Sequence, residues 1–360
     1  MKVGIVGLPN AGKSSLFNAL TRAGAQAANY PFTTVEPNVA VVPVPDERLE
    51  QVAATVGATP VAPETIEFHD IAGLVRGAHR GEGLGNRFLG NIREVDAIVH
   101  VVRVHDDPQV VHPDGRVDPV ADAEAVDTEL LYADLEQAER RLERVAKQAK
   151  AGDKAVVAEE AWLREVVAAL GEGRPVREVP VPEAAPDAER LLSPLTSKPV
   201  LYVANVGEGE ALEPPAALRE HAEARGARVT AISSRLESEL RELDDEEAAA
   251  MREELGVEHS GLETVVAEAF ALLDLISFFT ADRGKEARAH SIRRGTSARQ
   301  AAGSVHTDME RGFVAAEVIG WEDLVRAGGY AAAREQALLR TEGRDYVVQD
   351  GDLLNFRFTS

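Results

Sequence analysis

The chain has 360 residues, 44 % hydrophobic and 28 % charged, a balance typical of folded domains and a length sufficient for two or three of them. It has no cysteine, which excludes disulfides, thiolate metal sites and a cysteine nucleophile. A net charge of −22 argues against a broad electrostatic grip on nucleic acid, and no apolar run approaches the roughly 20 residues of a membrane span. Residues 1–7 lack the apolar stretch of a signal peptide, so the expected setting is the cytoplasm, with no membrane partner.

Lys2–Val6 reads as a short apolar strand, followed by Gly-rich sequence and the helical pattern of residues 14–20. Further strands are expected at 39–42, 65–69, 97–102, 199–204 and 228–232, with helical patterns between several of them. That alternation predicts an α/β fold with a mostly parallel sheet. It stops between about 118 and 198. There Leu131, Leu135, Ala138, Leu142, Val145 and Ala149 form a heptad seam, which Ala151-Gly152-Asp153 interrupts before a second stretch containing Trp162, Leu163, Val166, Val167 and Leu170. An antiparallel helical hairpin inserted into the α/β domain is the expectation. From about Ser277, short strands at 287–292, 312–318, 345–348 and 353–358 and helices at 297–302 and 321–327 predict a small mixed module. The expected domains are therefore 1–118 with 198–276, the insertion 119–197, and 277–360.

Gly7-Leu8-Pro9-Asn10-Ala11-Gly12-Lys13-Ser14 matches G-x-x-x-x-G-K-S between a strand and a helix, the context that a phosphate-binding loop requires. Its backbone N–H groups, those of Asn10, Ala11, Gly12 and Ser15 among them, can close around phosphates at the positive end of the helix. Lys13 can reach the β- and γ-phosphates, and the Ser14 hydroxyl can ligate Mg²⁺. Asp70 ends the strand 65–69 and is the second expected Mg²⁺ ligand, while Gly73 can offer its N–H to the γ-phosphate. In Tyr30-Pro31-Phe32-Thr33-Thr34, Thr34 is preferred over Thr33 to complete the metal shell.

Asn205-Val206-Gly207-Glu208 ends the strand 199–204, where guanine-specific sites carry N-K-x-D. Val206 replaces the lysine and Glu208 the aspartate that accepts from guanine N1–H and the 2-amino group. Adenine has no 2-amino donor, whereas Asn205 can serve its N7 and N6. The expected ligand is ATP, with GTP as the alternative. Ser233 and Ser234 stand where a base-supporting loop is expected.

These residues resemble the Obg-like branch of the TRAFAC-class GTPases, and within it the YchF family. The carriers are G-L-P-N-A-G-K-S, Y-P-F-T-T-V-E-P-N, D-I-A-G-L-V with its Gly-rich continuation at 77–85, and N-V-G-E. Arg299 to Gly303, His306-Thr307-Asp308 and the run from Asp345 to Asp352 are similar to that family's TGS domain, a β-grasp module. The likeness covers nearly the whole chain, with Ala40 standing where the branch usually has Gly. It implies an ATP-preferring NTPase with a coiled-coil insertion, associated with the ribosome or a ribosomal subunit, with RNA contact through the TGS domain and its Lys285, Arg288, Arg293 and Arg294.

Many GTPases follow D-x-x-G with a Gln that orients the attacking water. Here Leu74 holds that position and cannot do so. Asn10 is one helper, since an Asn there helps related GTPases to hold K⁺. His112, on a polar loop after the strand 97–102, is a second, and His79 a third. Two functional readings follow: a slow ATPase, or a nucleotide-gated ribosome-binding protein with negligible hydrolysis.

Overall fold

The computed structural model describes residues 1–27, 38–71, 84–107, 110, 112, 115–207, 209–240, 243, 245–255 and 260–359. The chain begins with β1 (Lys2–Val6), α1 (Lys13–Ala27), β2 (Val39–Pro43), α2 (Glu47–Val56), β3 (Val61–Ala62), β4 (Thr65–Asp70), α3 (Leu84–Arg93) and β5 (Ala97–Arg103). The helices α4 (Pro119–Ala149), α5 (Lys154–Gly171) and α6 (Ala188–Leu192) follow, then β6 (Val200–Asn205), α7 (Ala216–Ala224), β7 (Arg228–Ile232), α8 (Ser234–Leu240), α9 (Asp245–Glu254) and α10 (Gly261–Leu272). The remainder is β8 (Leu275–Thr280), β9 (Ala287–Arg293), α11 (Ala298–Val305), α12 (Thr307–Arg311), β10 (Phe313–Gly320), α13 (Trp321–Ala327), α14 (Tyr330–Glu335), β11 (Arg340–Glu342) and β12 (Asp352–Phe358). Two compact units result, Met1–Val42 with Glu67–Ala269, and Pro43–Ile66 with Phe270–Ser360.

The first unit carries a sheet in the order β2-β4-β1-β5-β6-β7, parallel from β4 through β7. Every residue of β5 and β6 is buried, as expected of central parallel strands covered on both faces. Leu16, Ala19 and Leu20 of α1 are buried as well, which seats the helix that follows the phosphate loop.

α4 has two roles along its length. Ala123, Val126, Leu130 and Ala133 join the core of the parallel sheet, whereas Leu135, Ala138, Leu142 and Val145 pack with Trp162, Leu163, Val166 and Leu170 of α5. The expected hairpin is therefore rooted in the nucleotide unit through the first turns of α4. Gly152, at φ +81°, makes the reversal, and the Asp153 carboxylate caps α5 by accepting from the N–H groups of Ala155 and Val156. The returning turn before β6 is fastened by Asp134, almost wholly buried, whose carboxylate accepts from the N–H groups of Leu195 and Thr196 and from the Thr196 hydroxyl, at 2.7–2.8 Å.

The second unit has the strand order β11-β10-β12-β8-β9, with β12 parallel to β8 and the β8–β9 and β10–β12 pairs antiparallel, a β-grasp arrangement. β3 adds to the β9 edge in parallel. Phe278 and Phe279 point to opposite faces. Phe278 joins Ala298 and Ala301 of α11, and Phe279 joins Leu49, Val52 and Val56 of α2. This is why residues 43–66, expected in the nucleotide domain, fold with the C-terminal unit: α2 covers the second face of its sheet. The strand expected at 345–348 is instead a turn with one bridge, Ser297 to Val347. The Asp352 carboxylate accepts from the Tyr346 hydroxyl and the Gln349 N–H, which closes the turn in place of a ladder.

Candidate nucleotide-binding site

The phosphate loop leaves the carboxyl end of β1 and turns into α1. Gly7, at φ +150°, leaves no room for a side chain, because a Cβ there would strike the Val101 carbonyl oxygen of β5. Gly12, at φ +101°, is constrained in the same way, because its Cβ would strike the amide nitrogen of Asn205. Asn10 adopts the left-handed region at φ +65°. Two of the motif glycines are thus fixed by the close approach of β5 and β6, as well as by the turn itself.

Lys13 is 8 % exposed, and its ammonium donates to the Leu8 carbonyl at 2.7 Å, which folds the side chain back over the loop. Burial lowers its pKa and the negative charge of Asp70 opposes that shift. Asp70, half-buried at the end of β4, has its pKa raised by burial and held back by Lys13. Each group is the other's compensation in a poorly solvated place, an electrostatic setting that a polyphosphate with its cation would complete.

Lys13, but not Asp70, borders a cleft of about 840 Å³ at the carboxyl ends of β1, β5 and β6, where parallel α/β sheets bind ligands. Asn10, Lys13, Ser14 and Ser15 form the phosphate side, with Ser14 and Ser15 exposed. His105, Val110, Asn205, Val206 and Ser234 form the opposite side. Asn205 is a strut. Its amide nitrogen donates to the Ala11 carbonyl and its amide oxygen accepts from the Ser234 N–H, each at 3.1 Å. One N–H and one lone pair of that side chain are thereby used, and one of each is left for a base. Val206 is buried, and its N–H donates to the Ile232 carbonyl. Ser233 Oγ accepts from the Leu236 N–H and caps α8. The Ser234 hydroxyl is buried and has no hydrogen-bond partner among the described residues.

His112 lies apart from these residues. Its Nε2 pairs at 2.8 Å with the carboxylate of Asp122 in the first turn of α4, both side chains being buried, and it is not part of the cleft wall. Gly73, Thr34 and Glu208 lie outside the described residues, as do Thr33, Leu74 and His79.

Several contributors were not singled out by the sequence. Glu210 accepts from the Gly207 N–H at 2.8 Å and braces the turn after β6. His105 meets the Asn205 carbonyl through Nδ1 at 2.9 Å. Arg103 closes β5 with its guanidinium buried. Only Arg103 leaves a trace in the sequence, as an arginine ending an otherwise apolar strand.

A parallel sheet, a phosphate loop with a buried lysine, and a carboxylate ending the neighbouring strand define a P-loop nucleoside triphosphatase fold. Residues 2–150 match the family "50S ribosome-binding GTPase", and residues 275–359 match the YchF GTPase C-terminal family, described as a protein of unknown function. The chain is 47 % identical over 363 residues to "Ribosome-binding ATPase YchF" of Bacillus subtilis (strain 168), with 99 % of each chain covered. It is 48 % identical over 359 residues to the protein of that name from Escherichia coli O157:H7, again over 99 % of each. The solved structure of the Schizosaccharomyces pombe YchF GTPase superimposes with a TM-score of 0.87 at 35 % identity, covering 99 % of this chain and 97 % of that one. A GTP-binding protein from Pyrococcus horikoshii OT3 shares the fold over both whole chains, at a TM-score of 0.64 and 22 % identity. The chain belongs to the YchF family. Among the described residues no helix is long and apolar enough to cross a membrane.

Proposed function

We propose that the chain is a Mg²⁺-dependent ATPase whose nucleotide state controls docking on the ribosome. The observation that carries the reading is the cleft itself: a complete phosphate loop facing an Asn205 strut that continues into Val206-Gly207-Glu208 rather than a guanine clamp. The names of the Bacillus and Escherichia relatives support both halves of it.

In this reading ATP and water become ADP and phosphate. The loop's N–H groups and Lys13 bind and orient the β- and γ-phosphates, and Lys13 exchanges its Leu8 contact for phosphate oxygens. Ser14 and Asp70 would hold Mg²⁺; an exposed hydroxyl and a carboxylate coupled to Lys13 are hard oxygen donors that suit an ion which keeps several waters. Thr34 is the further ligand proposed from the sequence. When bound, the ion neutralises charge on the phosphate oxygens. Asn205 orients the base, and the unpartnered Ser234 hydroxyl offers either a donor or an acceptor beside it. Gly73 would donate to the γ-phosphate, and Asn10 would hold K⁺. His112 would orient water through Nδ1, the ring nitrogen that Asp122 does not hold.

Phosphate release with Mg-ATP tests the proposal. Lys13→Ala should abolish turnover and cost about 1.5–3 kcal/mol of nucleotide affinity, the range for one charge-assisted contact. Undiminished turnover in that variant overturns it.

A second reading, nucleotide-gated ribosome binding with negligible hydrolysis, is favoured by the burial of His112 away from the cleft wall. Turnover measured with and without ribosomes separates the two. Contact with RNA through the second unit would be local: Lys285, Arg288 and Arg294 are ion-paired to Asp282, Glu286 and Asp274, whereas Arg293 has no ion pair among the described residues. Since α2 packs on that unit's sheet, the docking test uses the full chain with Arg293→Glu, and co-sedimentation with ribosomes in ATP and in ADP is the readout.

A further inference from the structure

We propose that Arg103 is a positioning residue that sets the base side of the nucleotide cleft more than its phosphate side. The proposal rests on the nucleotide reading of that cleft. Arg103 ends β5 and is 2 % exposed. No carboxylate pairs with it among the described residues. Its guanidinium donates instead to three main-chain carbonyls of the segment that follows it: His105 at 2.9 Å, Val110 at 2.8 Å and Asp107 at 3.2 Å. A buried cation without a counter-ion is expensive to keep, and hydrophobic residues of similar volume often replace one without loss of stability. Here the fork of five donors does what an apolar side chain cannot. It supplies a donor to the His105 and Val110 carbonyls and a second donor to the Asp107 carbonyl, which also accepts from the Val110 N–H, and it fixes their relative positions.

The segment so held is the cleft wall. His105, Asp107 and Val110, whose carbonyls Arg103 grips, all border the cleft. Val110 is 37 % exposed, a hydrophobic surface suited to the face of a base. The wall is also pinned to the base-binding strut: the Val104 N–H and His105 Nδ1 both meet the Asn205 carbonyl, at 3.2 and 2.9 Å. A carbonyl only accepts, so Nδ1 carries the hydrogen there, which fixes the tautomer of the ring. Arg103 thus acts through the turn upon His105, Val110 and Asn205. Among the described residues none of its hydrogen bonds reaches the phosphate loop or Lys13.

That separation makes the role testable with ligands that engage one side or both. The ligands are ATP, GTP and inorganic tripolyphosphate, titrated calorimetrically with Mg²⁺ against the full chain and Arg103→Met. The expected result is an ATP Kd raised at least tenfold, an ATP-to-GTP ratio moved towards one, and a tripolyphosphate Kd changed less than twofold. Arg103→Lys, which keeps the charge and some donors, should recover part of the ATP affinity; it is read in the same way where Arg103→Met does not fold. Unchanged ATP affinity in both variants overturns the proposal. So does an equal loss for ATP and tripolyphosphate, which a merely structural arginine would produce. If the unaltered chain binds none of the three ligands, it is the nucleotide reading itself that fails.

Discussion

Replacing Gly12 by Ala tests how the phosphate loop and the base strut depend on each other. At φ +101° an L-residue is strained, by roughly 1–2 kcal/mol on the scale of left-handed conformations. The added Cβ also meets the Asn205 amide nitrogen and must push that side chain away. Its two hydrogen bonds, to Ala11 and from Ser234, are then lost, at about 0.5–1.5 kcal/mol each. Together these come to about 2–5 kcal/mol of folding stability, and ATP affinity should fall as well, because the displaced Asn205 no longer faces the base. Asn205→Ala alone loses the two bonds without the strain, about 1–3 kcal/mol. In the double variant the Cβ enters space that Asn205 has vacated, so the second loss is not incurred again. The cycle should therefore show a coupling of about 1–3 kcal/mol in unfolding free energy, with the double variant more stable than the sum of the singles predicts. Isothermal titration with Mg-ATP gives the four affinities, and thermal unfolding gives the four stabilities. Additivity within about 0.5 kcal/mol, or wild-type ATP affinity in Gly12→Ala, would refute the contact argument.

His112→Ala should lower kcat with little change in ATP affinity if the ring orients water, whereas exchange of K⁺ for Na⁺ should slow turnover only if Asn10 belongs to a cation site; turnover indifferent to both changes would dismiss both helpers. Burial of His100 lowers its pKa to about 4, from 6.5 for a free imidazole. The unfolded chain then takes up the proton first, so the stability is fully present above about pH 6.5 and is lost as the pH falls towards 4, about 3 kcal/mol across that window. Urea unfolding from pH 7 to pH 4.5 should show this loss, and His100→Gln should flatten it; identical slopes in the two proteins would count against the assignment.

Much of the candidate site could be proposed from the sequence because its signals are local. The phosphate loop, Asp70 at a strand end and N-V-G-E after a buried strand are short motifs whose chemistry depends on neighbours in sequence. The hairpin seam was legible for a similar reason: one apolar residue every three or four positions leaves few alternatives. What was not legible depends on contacts between distant segments. The apolar face of α2, with Leu49, Val52 and Val56, announces a helix that must be covered but not which sheet covers it. Tyr346, Val347 and Val348 have strand-forming side chains, yet the Asp352 carboxylate takes the Tyr346 hydroxyl and the Gln349 N–H, and the segment turns. The part played by Glu210 and His105 rests on single hydrogen bonds to backbone groups, which no composition or spacing reveals.

The most direct test of the account is a competition between ATP and GTP for the unaltered chain in Mg²⁺, read as the two dissociation constants. With Val206 and Glu208 in place of the guanine clamp, and Asn205 retaining one donor and one acceptor for the base, ATP should bind at least as tightly as GTP. A preference for GTP of more than tenfold, about 1.4 kcal/mol or one good hydrogen bond, would contradict it.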